Sequence, residues 1–225
     1  MDGPEQERAQ ERAQERAQER ALAGWMEAIA AAGWKGASAD AVIAASGADS
    51  GLDGDGLRAT LGDRFAALAR LQDRVADAAV EAASASAGGL RERLFDGFMA
   101  GFDLLQEWRP AVLAIWKARN PSMALLVGGR AGLHLRRLAL AAGVETRETG
   151  KTGRLRGRAR GLALAFVGWR SFRAWLADDS ADMAATMAAL DHLLDKAERA
   201  ERDGLSADLV GLPGLAAFCG RLRPG

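Results

Sequence analysis

The chain has 225 residues, 49 % of them apolar, with five Pro, no Tyr and acidic and basic side chains in equal number. That balance gives no support to a strongly basic nucleic-acid binder, and the lone Cys219 excludes an intramolecular disulfide framework or a Cys-rich metal centre. Dominance of Ala and Leu with few β-branched runs predicts an all-α protein. The charged N-terminus does not read as a signal peptide, and no uncharged apolar run reaches spanning length, so a cytoplasmic protein is expected.

Residues 6–21 are four copies of Gln-Glu-Arg-Ala. With no apolar stripe other than Ala, residues 1–21 are expected to form a charged, solvated helical extension. Trp25, Ile29 and Ala32 then mark an amphipathic helix ending at Gly33. Ser38 is a good N-cap for a short helix carrying Ala41, Val42 and Ala45, which Gly47 can end. A second short helix is predicted from near Asp53, with Leu57 and Leu61 on one face. Helix, short helix, turn, short helix is the arrangement of a helix-turn-helix domain. Arg58, Thr60 and Arg64 are the candidate DNA contacts in it.

Phe65, Leu68, Leu71 and Val75 predict a long helix reaching Ala83, which closes a head of residues 22–83. Ser84 to Gly89 is a flexible break and the expected domain boundary. A helical body of residues 89–203 follows. Leu94, Phe95, Phe98, Phe102 and Leu105 keep helical period up to Trp108, and Pro110 suits the first turn of a helix with Val112, Leu113, Ile115 and Trp116. Asn120-Pro121 stops that helix and starts another, with Leu125, Leu126, Leu133, Leu138 and Leu140, ending at Gly143. After a polar loop, a helix opens on Arg154, Arg156, Arg158 and Arg160 and becomes apolar through Leu162, Leu164, Phe166, Trp169, Phe172 and Trp175. The basic run is read as a solvated helix start, with a contact to anionic lipid or an acidic partner as the sharper alternative. Asp178-Asp179-Ser180 is expected to cap the final helix, whose apolar stripe is Met183, Met187, Leu190 and Leu194. The apolar tail, 204–225, is interrupted by Gly211, Pro213 and Gly214.

No nucleophile–base constellation is visible. His134 and His192 are the only histidines, Cys219 has no activating neighbour in sequence, and the glycine pairs lack a phosphate-loop signature. The chain reads as a non-enzyme without cofactor or metal. Gly161 and Gly168 with Leu164 and Phe172, together with the stripe Met183, Met187, Leu190 and Leu194, form the expected dimer interface, a two-fold four-helix contact.

The whole resembles the tetracycline-repressor (TetR) family. Ala30 to Trp34 matches the end of that family's first helix, and Ala44 to Ala48 its usual end of helix 2. Leu57, Leu61 and Arg64 fit the Leu, Phe and helix-4 Lys of its TLYxYFxxK motif. The chain departs from that motif in a longer stretch between Gly47 and Leu57, with Asp53, Asp55 and Gly56 where phosphate-contacting residues stand. The resemblance implies a three-helix head on a larger ligand-binding and dimerisation body, a homodimer, and operator binding controlled by a small apolar ligand. Trp108, Trp116, His134, Phe166 and Trp169 fall where that fold keeps its ligand cavity, although each taken singly reads as an ordinary core residue.

A second resemblance covers Trp175 to Asp191, which is similar to the closing helices of the lipid-binding accessory proteins of ubiquinone biosynthesis. Asp179, Ser180, Asp182, Thr186, Leu190 and Asp191 carry it, with Met187 in place of a tryptophan. It implies an isoprenoid lipid ligand, a degenerate head without DNA binding, and a peripheral membrane contact through the tail.

Overall fold

The computed structural model describes residues 3–46, 62–144 and 150–202. Among them are eight helices and no strand: α1 (Gly3–Gly36), α2 (Ala39–Ser46), α3 (Arg64–Ala85), α4 (Leu90–Glu107), α5 (Arg109–Ala118), α6 (Pro121–Ala142), α7 (Gly150–Ala177) and α8 (Ala184–Arg202). The all-α expectation is met. The predicted helix from Asp53 with Leu57 and Leu61, the candidate contacts Arg58 and Thr60, and the 204–225 tail lie outside the described residues.

The helices form two compact units. The first holds the described residues up to Arg74 together with Leu105–Gly128, and the second holds Val75–Leu104 and those from Gly129 on. This differs from a division at Ser84–Gly89, and the physical reason is α5. In the first unit α1 packs along α5, and the buried positions are Leu22, Trp25, Met26 and Ile29 on one helix and Ala111, Val112 and Ile115 on the other. The spacing of the first four, i, i+3, i+4, i+7, puts them on one face. Each such side chain stabilises the fold by about 2 kcal/mol when fully covered.

Upstream of Ala21 the same helix is different. Glu11 to Arg16, Glu19 and Arg20 are all exposed. The four-residue repeat sets like charges at i, i+4, as Glu7 and Glu11, and opposite charges at i, i+3, as Arg8 and Glu11, so the two effects oppose each other. Glu19 also reaches Arg74 of α3, at 3.4 Å. At the other end, Gly33 leaves helical geometry with φ of 75°, which puts the kink at the residue expected to end the helix. α2 starts as the sequence predicts: the Ala41 N–H donates to Ser38 Oγ at 3.2 Å.

In the second unit, α3 contributes Ala76, Ala79 and Ala83 to the core, α4 Leu94, Phe98 and Phe102, and α6 Leu138, Ala139 and Ala142. Gly97 permits this close approach, because a Cβ there would lie 2.5 Å from Leu138 Cδ1 and 2.8 Å from the Ala79 carbonyl oxygen. α7 packs on α8 and buries Leu164, Phe166, Val167 and Trp175. Three surface pairs join the helices of this unit: Arg137 with Asp77 at 2.6 Å, Arg91 with Asp191, and Arg160 with Glu201.

Candidate functional site

In the first unit, the one described DNA-contact candidate is Arg64, the first residue of α3. Its Nη1 donates to the Trp34 carbonyl at 2.8 Å, and the guanidinium lies 5.5 Å from the centre of the Trp34 ring. Trp34 is itself 2 % exposed and meets Phe65 edge-on, with centroids 5.2 Å apart. Asp63 caps the same helix by accepting from the Ala66 N–H at 2.7 Å. Arg64 therefore fastens the start of α3 to the end of α1, combining a charge-assisted hydrogen bond with a cation–π contact.

The five candidate ligand residues do not fall in one unit. Trp108 and Trp116 belong to the first, and His134, Phe166 and Trp169 to the second. Trp108 stands at the start of α5, half-buried, with an Nε1 that is shielded and finds no acceptor among the described residues. Trp116 is 38 % exposed on α5. Phe166 is a core side chain, whereas His134 and Trp169 are half-buried. Trp169 carries the Arg173 guanidinium 5.9 Å from its ring centre and leans on Phe172.

The residues expected at a dimer interface are for the most part covered already within the single chain. Leu164, Met183, Leu190 and Leu194 are buried within the single chain, Leu190 completely, and only Phe172 and Met187 stay partly open. Periodicity located a covered stripe, but what covers it is this chain's own packing of α8 on α7. A charge at Leu190 would open this core. Gly168 likewise makes room inside the chain, for Phe98 and Leu135, whereas Gly161 faces open space.

The final helix begins later than its expected cap. α8 starts at Ala184, and residues 178–183 form the turn before it. Asp178 nevertheless holds that helix. Its Oδ1 accepts from the Ser180 hydroxyl at 2.5 Å and the Ser180 N–H at 3.1 Å. Its Oδ2 accepts from the Thr186 N–H and hydroxyl, each at 2.7 Å. Ser180 Oγ and Asp182 Oδ1 both accept from the Ala184 N–H, and Asp179 is exposed. The Ser180 hydroxyl holds the Asp178 carboxyl well below the usual carboxylate range; burial pushes the other way, and the Thr186 donors add to the lowering. A carboxylate whose two oxygens each accept two bonds is a fixture of the fold rather than a proton acceptor. The signal in the sequence was an Asp with Ser two residues on and Thr eight residues on, a separation too long for a local capping motif.

Among the described residues no group of His, Cys, Asp and Glu is placed to hold a metal ion, and no helix is long and apolar enough to cross a membrane. Comparison with protein-family models, with curated proteins and with solved structures gives no match for this chain.

Proposed function

We propose that the chain is a ligand-responsive regulator of the TetR type, a homodimer whose head binds DNA under control of a small apolar molecule. The observation that supports this reading is the packing of α1 on α5. The helix that opens the head shares a core with a helix that begins beside Trp108 and exposes Trp116. A ligand that engages those rings and the shielded Trp108 Nε1 shifts α5, and α5 carries α1 with it. Arg64 passes the shift to α3 through the Trp34 carbonyl. This is a coupling through two packed helices, with the head as the responding element.

The second reading is a lipid-binding accessory protein with a head that no longer reads DNA. The engagement of Arg64 favours it, because a donor held by the Trp34 carbonyl is withdrawn from a phosphate.

A gel shift with the protein's own upstream DNA, at low and moderate salt, tests the first reading beside native mass spectrometry of the purified chain. The expected result is a specific shift, weakened by salt and relieved by an apolar small molecule. Co-purified isoprenoid or phospholipid without any shift overturns it in favour of the second reading.

A further inference from the structure

Neither α6 nor α7 contains a single acidic residue. The neutral balance of the whole chain hides this, because the acids are gathered on other helices, such as Asp77 and Glu81 on α3, Asp96 and Asp103 on α4, and Asp191 and Glu198 on α8. Some of the basic side chains are neutralised by that arrangement: Arg137 pairs with Asp77 and Arg160 with Glu201. Arg136 on α6 and Arg158 and Arg170 on α7 are exposed.

The same helices expose apolar surface. Leu133, at 60 %, and Leu140, at 57 %, are the most exposed large apolar side chains among the described residues, and Leu162 on α7 is 41 % exposed. Leu133 and Leu140 stand two helical turns apart and so share a face, with Arg136 and Arg137 between them. Gly129 and Gly132 border this face, and a Cβ at either would meet nothing within 4 Å. The opposite face of α6 is the core side, where Leu138, Ala139 and Ala142 are buried.

We infer that the outer face of α6, around Leu133, Arg136 and Leu140, docks on an anionic phospholipid bilayer. The charge pattern selects this occupant. α6 itself carries no acid, and Asp77 of α3 beside it is answered by Arg137, so the leucines enter the acyl boundary while the exposed Arg136 between them reaches up to the headgroups. Nucleic acid would answer the arginines but leave the leucines in water. The inference does not rest on either functional reading above, since a regulator and a lipid-binding protein can both lie on a membrane surface.

The test is flotation of the full-length chain with vesicles of phosphatidylcholine alone and of phosphatidylcholine mixed with phosphatidylglycerol. Binding is expected to the mixed vesicles only, to weaken with salt, and to drop by about tenfold in the Leu133→Glu/Leu140→Glu double variant. Leu90→Glu on α4, 48 % exposed, serves as the control and should bind as the unaltered chain does. Circular dichroism melts confirm that each variant is folded. Equal binding to neutral vesicles, undiminished binding of the double variant, or no binding overturns the inference. So does a double variant whose mass by light scattering falls to that of a smaller assembly, which would make the face an interface between copies. Capture of an acidic protein partner with no vesicle binding would overturn it too.

Discussion

Two helix junctions, one in each unit, are each fastened by a single charged side chain, of opposite sign and very different surroundings. Arg64 joins α3 to α1 by one short bond to a carbonyl and by lying on a ring. It is only half-buried, so much of its charge remains answered by water. Asp178 joins α7 to α8 from a site that is 5 % exposed and accepts four hydrogen bonds. The difference teaches where a charge fixes geometry firmly. A buried carboxylate must be fully answered, and once it is, losing it strands the donors around it. A partly exposed guanidinium can be replaced by water at modest cost.

The largest effect should therefore come from Asp178→Ala, which leaves two hydroxyls and two N–H groups of the turn without their acceptor. A loss of about 3 kcal/mol in stability is expected, measured by urea unfolding at neutral pH. The same site has a pH signature of definite sign. Because the folded-state pKa of Asp178 lies below its unfolded value, its contribution is present in full above the unfolded pKa and is lost as the pH falls through the folded one. The unaltered chain should lose stability on acidification below about pH 4, and Asp178→Ala should lose less over the same range. Equal slopes for the two chains would mean that the carboxylate is not held as described.

At the other junction, Arg64→Ala should cost about 1 kcal/mol, the scale of one charge-assisted bond and an exposed cation–π contact. A measured loss as large as that of Asp178→Ala would remove the contrast between the junctions. It would also mean that the burial of Trp34 depends on the guanidinium that lies against it.

Much of the local architecture could be read from residue type alone. Trp25 and Ile29 predicted a buried face, Pro110 and Asn120-Pro121 predicted helix starts, and α3 runs almost as its apolar period requires. What could not be read was which surface covers which. The stripe through Leu190 and Leu194 shows the same spacing whether it meets another copy or α7. Leu133, Leu138 and Leu140 look alike in sequence, yet only Leu138 is buried, because α6 turns the other two outward. Asp178 was legible as a capping residue but stands six residues before the helix it holds, and Arg64 as a DNA-contact candidate, while their partners lie 8 residues downstream and 30 residues upstream. Those pairings are set by the packing of whole helices, which local propensity does not encode.

The smallest effect belongs to the feature that was most legible. Ser38 caps α2 through one bond to the Ala41 N–H, on an exposed turn between α1 and α2. Ser38→Ala removes that acceptor, but water can reach the freed N–H, so a loss of about 0.5 kcal/mol is expected. The loss should also be local. Amide exchange should quicken in the first turn of α2 while the amides of α8 remain as protected as before, because the hydrogen bond of the cap stays within its own helix. If α8 loosened as well, the two units would be coupled more tightly than their separate cores imply, and the contrast between a local cap and a long-range tie would have to be redrawn.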